Sequence, residues 1–177
     1  MISWGSVRSS IVFEGSGFIL NNEMDDFSVK PGEPDMFGLT GGEANAVQPA
    51  KRMLSSMTPV IVEKDGKLFL VAGSPGGSTI PVIVFQVIIN ILDYNMKVSE
   101  AVDKGRFHHQ WLPCLISIEE NSIDSLTITK LKNMDHQFRI ITSIASVNAI
   151  KCLRTGKRQQ TLTYGDIIQP AVTNIVN

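Results

Sequence analysis

The sequence predicts a single α+β domain in which helices alternate with short strands. Two apolar runs of β type flank Asp65 and Gly66, a pair typical of a tight β-hairpin turn. The apolar stretch that follows, residues 80–92, has the length of a buried helix and falls short of the roughly 20 residues that span a bilayer. An amphipathic segment at 121–137 and a strand-like segment at 138–153 extend this order, which favours a layered α+β domain.

Composition excludes several classes of partner. The chain has 177 residues with 16 Lys+Arg against 17 Asp+Glu, so no basic surface for nucleic acid or an anionic membrane is expected. Cys114 and Cys152 fit neither a disulfide framework nor a zinc pattern and are expected to be small buried hydrophobes. We expect no metal and no cofactor. The opening residues MISWGSVRSSIVF lack the regions of a secretion signal.

The other elements follow in chain order. Residues 9–22 are predicted as β structure interrupted by a turn at 14–17. Residues 25–50 are rich in Gly, Pro, Asn and Asp, which predicts a long loop of the kind that is usually functional. Ser78 is expected to cap the helix of residues 80–92, and Ser99 is expected to cap a short helix within 97–113, which then continues as a loop.

The segment GSPGGSTI places Gly76 and Gly77 just before a helix N-terminus. Free backbone N–H groups and the positive end of the helix dipole at such a position can hold an anion or a developing oxyanion. The alternative is a plain tight turn before a capped helix.

Three more clusters have polar side chains suited to binding. Glu23, Asp25 and Asp26 crowd three carboxylates together, which suits a cation or a substrate ammonium, or else forms an acidic turn in solvent. Ser55 and Ser56 can donate hydrogen bonds to a carboxylate, or else belong to an ordinary turn before a strand. The serine-hydrolase pattern G-x-S-x-G is absent. The pair at 108–109, two adjacent histidines, favours a structural role over a metal site.

Four motifs in this order and spacing, NNEMDDFS, GGEANAVQPAKRMLSSMTPVIV, AGSPGGS and GRFHHQWLP, resemble the small, C-terminal subunit of the gamma-glutamyltransferases (gamma-glutamyltranspeptidases). The resemblance covers about residues 10–153. It implies part of the αββα sandwich of N-terminal-nucleophile hydrolases. It also implies transfer of the gamma-glutamyl group of glutathione or a related donor to water or to an acceptor amine.

The resemblance also implies residue roles. Gly76 and Gly77 correspond to the oxyanion hole, and the serine pair Ser55 and Ser56 holds the donor's α-carboxylate. The acidic residues Glu23 and Asp26 hold its α-ammonium. The partner implied is the large subunit of the same precursor.

The ends of the chain depart from the family pattern. The family's nucleophile is an N-terminal threonine of the small subunit, whereas this chain starts MISWGSVRSS and has no threonine before Thr40. We therefore expect residues 1–177 to be a single, incomplete small-subunit-like domain without its nucleophile. The alternative is a non-catalytic remnant that binds glutamate or gamma-glutamyl compounds, or folds only with a partner chain. By resemblance a full precursor would be periplasmic or extracellular; localisation and the balance of transfer and hydrolysis stay open.

Overall fold

The computed structural model describes residues 14–18, 20–21, 23–35 and 37–152, together with the backbone of a last strand at 158–162. The long loop predicted for residues 25–50 lies within described residues 23–35 and 37–59, which contain no strand or α-helix but do contain 3-10 turns at Glu23–Asp26 and Glu43–Asn45. Most of the β structure predicted for residues 9–22 lies outside the described residues. In chain order the regular elements are β1 (Val60–Lys64), β2 (Lys67–Gly73), α1 (Ile80–Leu92), α2 (Val98–Asp103), β3 (Phe107–His108), β4 (Ile116–Glu119), α3 (Ser125–Lys132), β5 (Phe138–Ile141), β6 (Asn148–Cys152) and β7 (Arg158–Leu162).

A four-stranded sheet has the order β1-β2-β6-β7, and each neighbouring pair is antiparallel. The β1–β2 connection is the predicted hairpin: Asp65 and Gly66 have φ of 55° and 69°, the left-handed values that a two-residue hairpin turn requires. Along β2, Leu70 and Ala72 are buried, whereas the alternating residues Phe69, Val71 and Gly73 are only half-buried. Strand β2 thus turns one face towards the core.

Helices α1 and α2 pack on this sheet and form the core with it. The prediction of a helix over residues 80–92 is confirmed, including both ends. Burying a side chain such as Ile83 or Ile91 contributes about 1.5–3 kcal/mol relative to leaving it exposed, so this packing anchors α1 on the sheet. The buried apolar residues of the core are Leu70, Ala72, Ile80, Ile83, Val84, Val87, Ile91, Val98, Ala101, Val102, Val147 and Ala149.

A second sheet has the order β3-β4-β5, with an antiparallel and a parallel pair. Helix α3 connects the parallel strands β4 and β5, which cannot be joined by a tight turn. The Asp124 carboxylate caps α3 by accepting a hydrogen bond from the Thr127 amide at 2.8 Å. The helix is therefore shorter than the predicted 121–137, and strands β3 and β4 were not predicted.

A buried ion pair joins the second sheet to the loop before β6. The Glu119 carboxylate accepts hydrogen bonds from the Arg106 amide at 2.8 Å and from its guanidinium at 3.2 Å. It also accepts one from the Ile144 amide at 2.7 Å. Because both side chains of the pair are more than nine-tenths buried, this carboxylate holds three segments together away from water.

Two smaller expectations from the sequence, the Ser99 cap and the buried cysteines, are wrong. Ser99 is not a cap, because α2 already begins at Val98 and the Glu100 carboxylate accepts the Lys97 amide at 3.1 Å. The cysteines are not buried: Cys114 is exposed and Cys152 half-buried. Among the helices in the described part of the chain, none combines the length and the apolar character needed to cross a membrane.

Candidate active site

The glycine turn follows β2 and leads into α1. Gly76 has φ of 139° and Gly77 has φ of 56°, both in the region that favours glycine. A Cβ on Gly76 would lie 2.6 Å from Thr79 Oγ1 and 3.1 Å from Ala145 Cβ, so the turn is also closely packed. The Thr79 hydroxyl donates to the Gly76 carbonyl at 2.9 Å and closes the turn.

Ser78 does not cap α1, contrary to the sequence prediction. The residue before the helix is Thr79, and the Ser78 hydroxyl instead donates to Gln110 Oε1 at 3.0 Å. The Ser78 hydroxyl therefore binds a side chain outside the turn and not the N-terminal amides of α1. Ser78 links the glycine turn to the segment after β3.

The amides of Gly76 and Gly77 make no hydrogen bond to any other described residue. Both precede α1, whose N-terminal end carries positive partial charge. Such amides can donate to a negatively charged oxygen. The Phe37 ring lies against Gly77, close enough that a Cβ on Gly77 would be 2.5 Å from Phe37 Cε1.

The acidic turn Glu23–Asp26 is a short 3-10 helix whose carboxylates influence one another. Burial raises the pKa of Asp26 above its ordinary value of 3.8, and the charge and hydrogen bond of Glu23 raise it further. The charges of Asp25 and Asp35 act in the same direction. Asp25 Oδ2 is buried and has no hydrogen-bond partner among the described residues. This local excess of negative charge favours a cation.

Asn45 joins the acidic turn to the serine segment. Its Nδ2 donates to the Asp26 carbonyl at 2.7 Å, and its Oδ1 accepts from the Leu54 amide at 3.0 Å. Ser56 is half-buried, whereas Ser55 is exposed and its hydroxyl oxygen accepts from the Met57 amide at 3.3 Å. One amide side chain therefore fixes the distance between the two predicted binding clusters.

A cavity of about 510 Å³ is lined by residues that belong to, or directly follow, the three predicted clusters. Its lining includes Asp25 and Asp26 from the acidic turn, Ser56 from the serine segment and Ser78 from the glycine turn. Its volume is in the range of small-ligand sites. The remaining predicted residues do not line this cavity but lie beside residues or turns that do. These are Glu23, Ser55, Gly76 and Gly77.

Sequence reasoning missed the residues that arrange this cavity. The Asp35 carboxylate accepts from the amides of Phe37 and Leu39, each at 2.8 Å, and so shapes the segment that reaches Gly77. Gln110 holds the same segment through the Phe37 carbonyl at 3.1 Å. The sequence PDMFG carries a turn signal around Asp35. No local signal marks Asn45 or Gln110.

The adjacent histidines occupy different surroundings. His108 is buried and its Nε2 lies 3.1 Å from Gln110 Oε1, while the exposed His109 ring meets His136 edge-on at 6.4 Å between centroids. Across the part of the chain that the structure describes, no group of three or more His, Cys, Asp or Glu side chains has a metal-binding arrangement.

A larger groove of about 1240 Å³ is lined by residues of α3 and the β3-β4-β5 sheet. None of the six predicted site residues lines it. The smaller cavity is the candidate site because Asp26 and Ser56, two of the predicted residues, line it.

A family profile and the sequences of known proteins point to the same family. The family profile described as gamma-glutamyltranspeptidase matches residues 5–167. The chain is 54% identical over 125 residues to the glutathione hydrolase proenzyme of Escherichia coli, covering 70% of this chain and 22% of that protein. It is 55% identical over 105 residues to the glutathione hydrolase proenzyme of Pseudomonas aeruginosa, covering 59% of this chain and 19% of that protein.

The fold has solved counterparts. The crystal structure of a gamma-glutamyltranspeptidase mutant from Helicobacter pylori matches with a TM-score of 0.82 and 47% identity, covering 89% of this chain and 87% of that chain. This similarity confirms the predicted α+β fold of the N-terminal-nucleophile hydrolase type. The chain spans about a fifth of the length of the curated relatives it matches.

Proposed function

Because this chain belongs to the gamma-glutamyltranspeptidase family, we propose that it supplies the donor-binding half of an active site that hydrolyses or transfers gamma-glutamyl groups. The donor proposed is glutathione or a related gamma-glutamyl compound, whose glutamate end carries an ammonium and a carboxylate. The observation that carries the proposal is the cavity of about 510 Å³, whose lining includes the Asp25 and Asp26 carboxylates, Ser56 and, next to the two glycines, Ser78.

The acidic turn is proposed to hold the donor's α-ammonium. Burial, followed by the charge and hydrogen bond of Glu23, raises the pKa of Asp26, and a cation between the two carboxylates would replace their repulsion by attraction. Hydrogen bonds between an ammonium and a carboxylate are charge-assisted and therefore stronger than neutral ones. Ser55 and Ser56 are proposed to donate to the α-carboxylate, at a distance from the acidic turn that Asn45 helps to set.

The glycine turn is proposed to stabilise the oxyanion. When a nucleophile attacks the gamma-glutamyl carbonyl, the carbonyl oxygen becomes negative, and the amides of Gly76 and Gly77 can donate to it. Turns that are already formed need no rearrangement as this charge develops, and loss of one such donor typically lowers kcat by about 10²–10³-fold. The nucleophile and a large-subunit partner are proposed to come from sequence joined to this chain in a precursor, as the family resemblance implies.

A chimera tests the activity. Residues 14–152 of this chain would replace the matching segment of the Escherichia coli glutathione hydrolase proenzyme, and release of aniline from a gamma-glutamyl anilide would be followed. We expect hydrolysis, and a raised KM in the double variant Ser55→Ala, Ser56→Ala. The control is Ser125→Ala, an exposed serine at the start of α3. A chimera that folds but releases no aniline would refute the proposal.

Calorimetry with glutamate tests binding by the chain itself. If the donor site is formed in this chain, glutamate should release or absorb heat on binding. This heat should disappear in the double variant Ser55→Ala, Ser56→Ala and persist in Ser125→Ala. Heat with an inactive chimera would favour the non-catalytic binder, and no heat at all would exclude that binder.

A further inference from the structure

We propose that Gln110 is the positioning residue that holds the glycine turn and the Phe37 segment, residues 35 and 37–39, in fixed register at the edge of the cavity. This inference deepens the proposed function, because it rests on the assignment of the glycine turn to the oxyanion. Gln110 does not line the cavity and is not assigned contact with a substrate.

The Gln110 side chain uses its full hydrogen-bonding capacity. Its Nε2 donates to the carbonyls of Phe37 and Leu112, both at 3.1 Å. Its Oε1 accepts from the Ser78 hydroxyl at 3.0 Å and lies 3.1 Å from His108 Nε2. A primary amide has two donor hydrogens and two acceptor lone pairs, so this side chain has none left over.

The partners fix the orientation of the amide. Carbonyl oxygens only accept hydrogen bonds, so the nitrogen of Gln110 must face Phe37 and Leu112. The oxygen then faces Ser78 and His108, and His108 must carry its hydrogen on Nε2. Each polar atom of the amide thus joins one cavity segment to one anchor: the nitrogen binds the Phe37 and Leu112 carbonyls, and the oxygen binds Ser78 and the buried His108.

The Phe37 segment depends on this anchor. Among the described residues, the other hydrogen bonds of residues 30–41 join members of that same stretch, such as the pair of amides on Asp35. Within the described part of this stretch, the bond from Gln110 Nε2 to the Phe37 carbonyl is the one that reaches outside it. Since the Phe37 ring lies against Gly77, Gln110 connects both sides of this contact.

Hydrogen exchange on the chain itself is the first test. The variant Gln110→Met keeps the approximate length of the side chain but removes all four hydrogen bonds. We expect the amides of Phe37 and Leu39, which bind Asp35, and of Thr79, which binds the Gly76 carbonyl, to exchange at least tenfold faster.

Gln86→Met is the matched control. Gln86 also bridges to β3, since its Nε2 donates to the Phe107 carbonyl at 2.8 Å and its Oε1 accepts from the Phe107 amide at 3.3 Å. It has no hydrogen bond to Phe37 or Ser78 in the described structure. We expect exchange in both cavity segments to stay as in the unsubstituted chain. Unchanged exchange in Gln110→Met, or an equal effect of Gln86→Met, would overturn the inference.

Kinetics in the chimera described above test whether the positioning reaches the reaction. We expect Gln110→Met to lower kcat at least tenfold and Ser78→Ala to lower it less. If Gln110 acts partly through Ser78, the two effects are not additive, so the double variant should be no slower than Gln110→Met. Additive losses, or a kcat that Gln110→Met leaves unchanged, would show that Gln110 only supports folding.

The failures of the two proposals differ. An inactive chimera in which Gln110→Met still accelerates exchange would refute the activity but leave the positioning role in place. An active chimera in which Gln110→Met changes neither exchange nor kcat would support the proposed activity and refute the positioning role. Should Gln110→Met not fold, Ser78→Ala decides: faster exchange at Thr79 would support the inference, and unchanged exchange would overturn it.

Discussion

Substituting Gly77 by alanine tests the contact between the glycine turn and Phe37. An added Cβ would lie 2.5 Å from Phe37 Cε1 and 2.8 Å from its Cδ1 and Cζ. Non-bonded carbon atoms are normally separated by about 3.5–4.0 Å. The ring or the turn must therefore move by about 1 Å to restore this separation.

Two costs add in this variant. The φ of Gly77 is 56°, a conformation that costs alanine about 1–2 kcal/mol. Overpacking costs about 1–3 kcal/mol more, so we expect the free energy of unfolding to fall by about 2–5 kcal/mol. Gly66→Ala is the matched control, because φ there is 69° and an added Cβ would meet nothing within 4 Å. Gly66→Ala should lower the free energy of unfolding only by the cost of the left-handed backbone conformation, about 1–2 kcal/mol.

Urea unfolding followed by circular dichroism measures both variants. The same pair is then measured in a Phe37→Ala background, where the ring is gone and Gly77→Ala should cost no more than Gly66→Ala. Equal losses for the two glycine variants when Phe37 is present would refute the reasoning, because the contact with the ring would then contribute nothing.

Three further predictions concern charge and packing. The pKa of Asp26 is raised by burial and by neighbouring carboxylates, so its protonated form is favoured in the folded chain and stability is lost as the pH rises through the raised pKa. Asp26→Asn should therefore unfold at higher urea concentration than the unsubstituted chain at pH 7, and the difference should shrink below about pH 4. Glu119→Gln leaves the buried Arg106 charge without its carboxylate and should lower the free energy of unfolding by about 3–5 kcal/mol in urea. Gly41→Ala would press its Cβ against the Ser28 side chain and should lower it by about 1–3 kcal/mol, measured by thermal melting.

Each of these three variants has a matched control or a result that would contradict its expected effect. A lower stability of Asp26→Asn at pH 7 would contradict the carboxylate repulsion. Glu33→Gln, which breaks an exposed pair with Lys30, should change stability far less than Glu119→Gln; equal losses would contradict the role of burial. Gly42→Ala adds a Cβ with nothing within 4 Å, so it should melt at a higher temperature than Gly41→Ala.

The sequence revealed those elements whose causes are local. Asp65 and Gly66 determine the hairpin by their own left-handed conformations, and the apolar run 80–92 is long enough to specify a helix. Strand β4, Ile116–Glu119, is different, because its four residues are all buried between β3 and β5 and owe their conformation to these partners. A strand this short carries no periodicity from which it could be predicted.

In the candidate site, too, the features with local causes were predicted from the sequence, whereas those set by distant partners were not. The clusters at 23–26 and 55–56 and the glycine turn were found from residue type, but not the side chains that join them. Ser78 was expected to cap its own helix, yet its hydroxyl binds Gln110, which is 32 residues away. Gln110 in turn reaches Phe37 across 73 residues. Partners at such distances are set by the packing of the sheets, so local rules could not select them.

The acidic turn links binding to stability. Burial and the neighbouring charges of Glu23 and Asp25 oppose ionisation of Asp26 in the free chain, and an ammonium held among these groups would reverse the sign of that interaction. A ligand that binds only the folded state at 100 times its Kd stabilises it by about 2.7 kcal/mol. Asp26→Asn should therefore be more stable than the unsubstituted chain without glutamate, yet gain less when glutamate is added. An acidic turn with a purely structural role would show no such ligand dependence, so opposite signs of the two effects would identify a binding site.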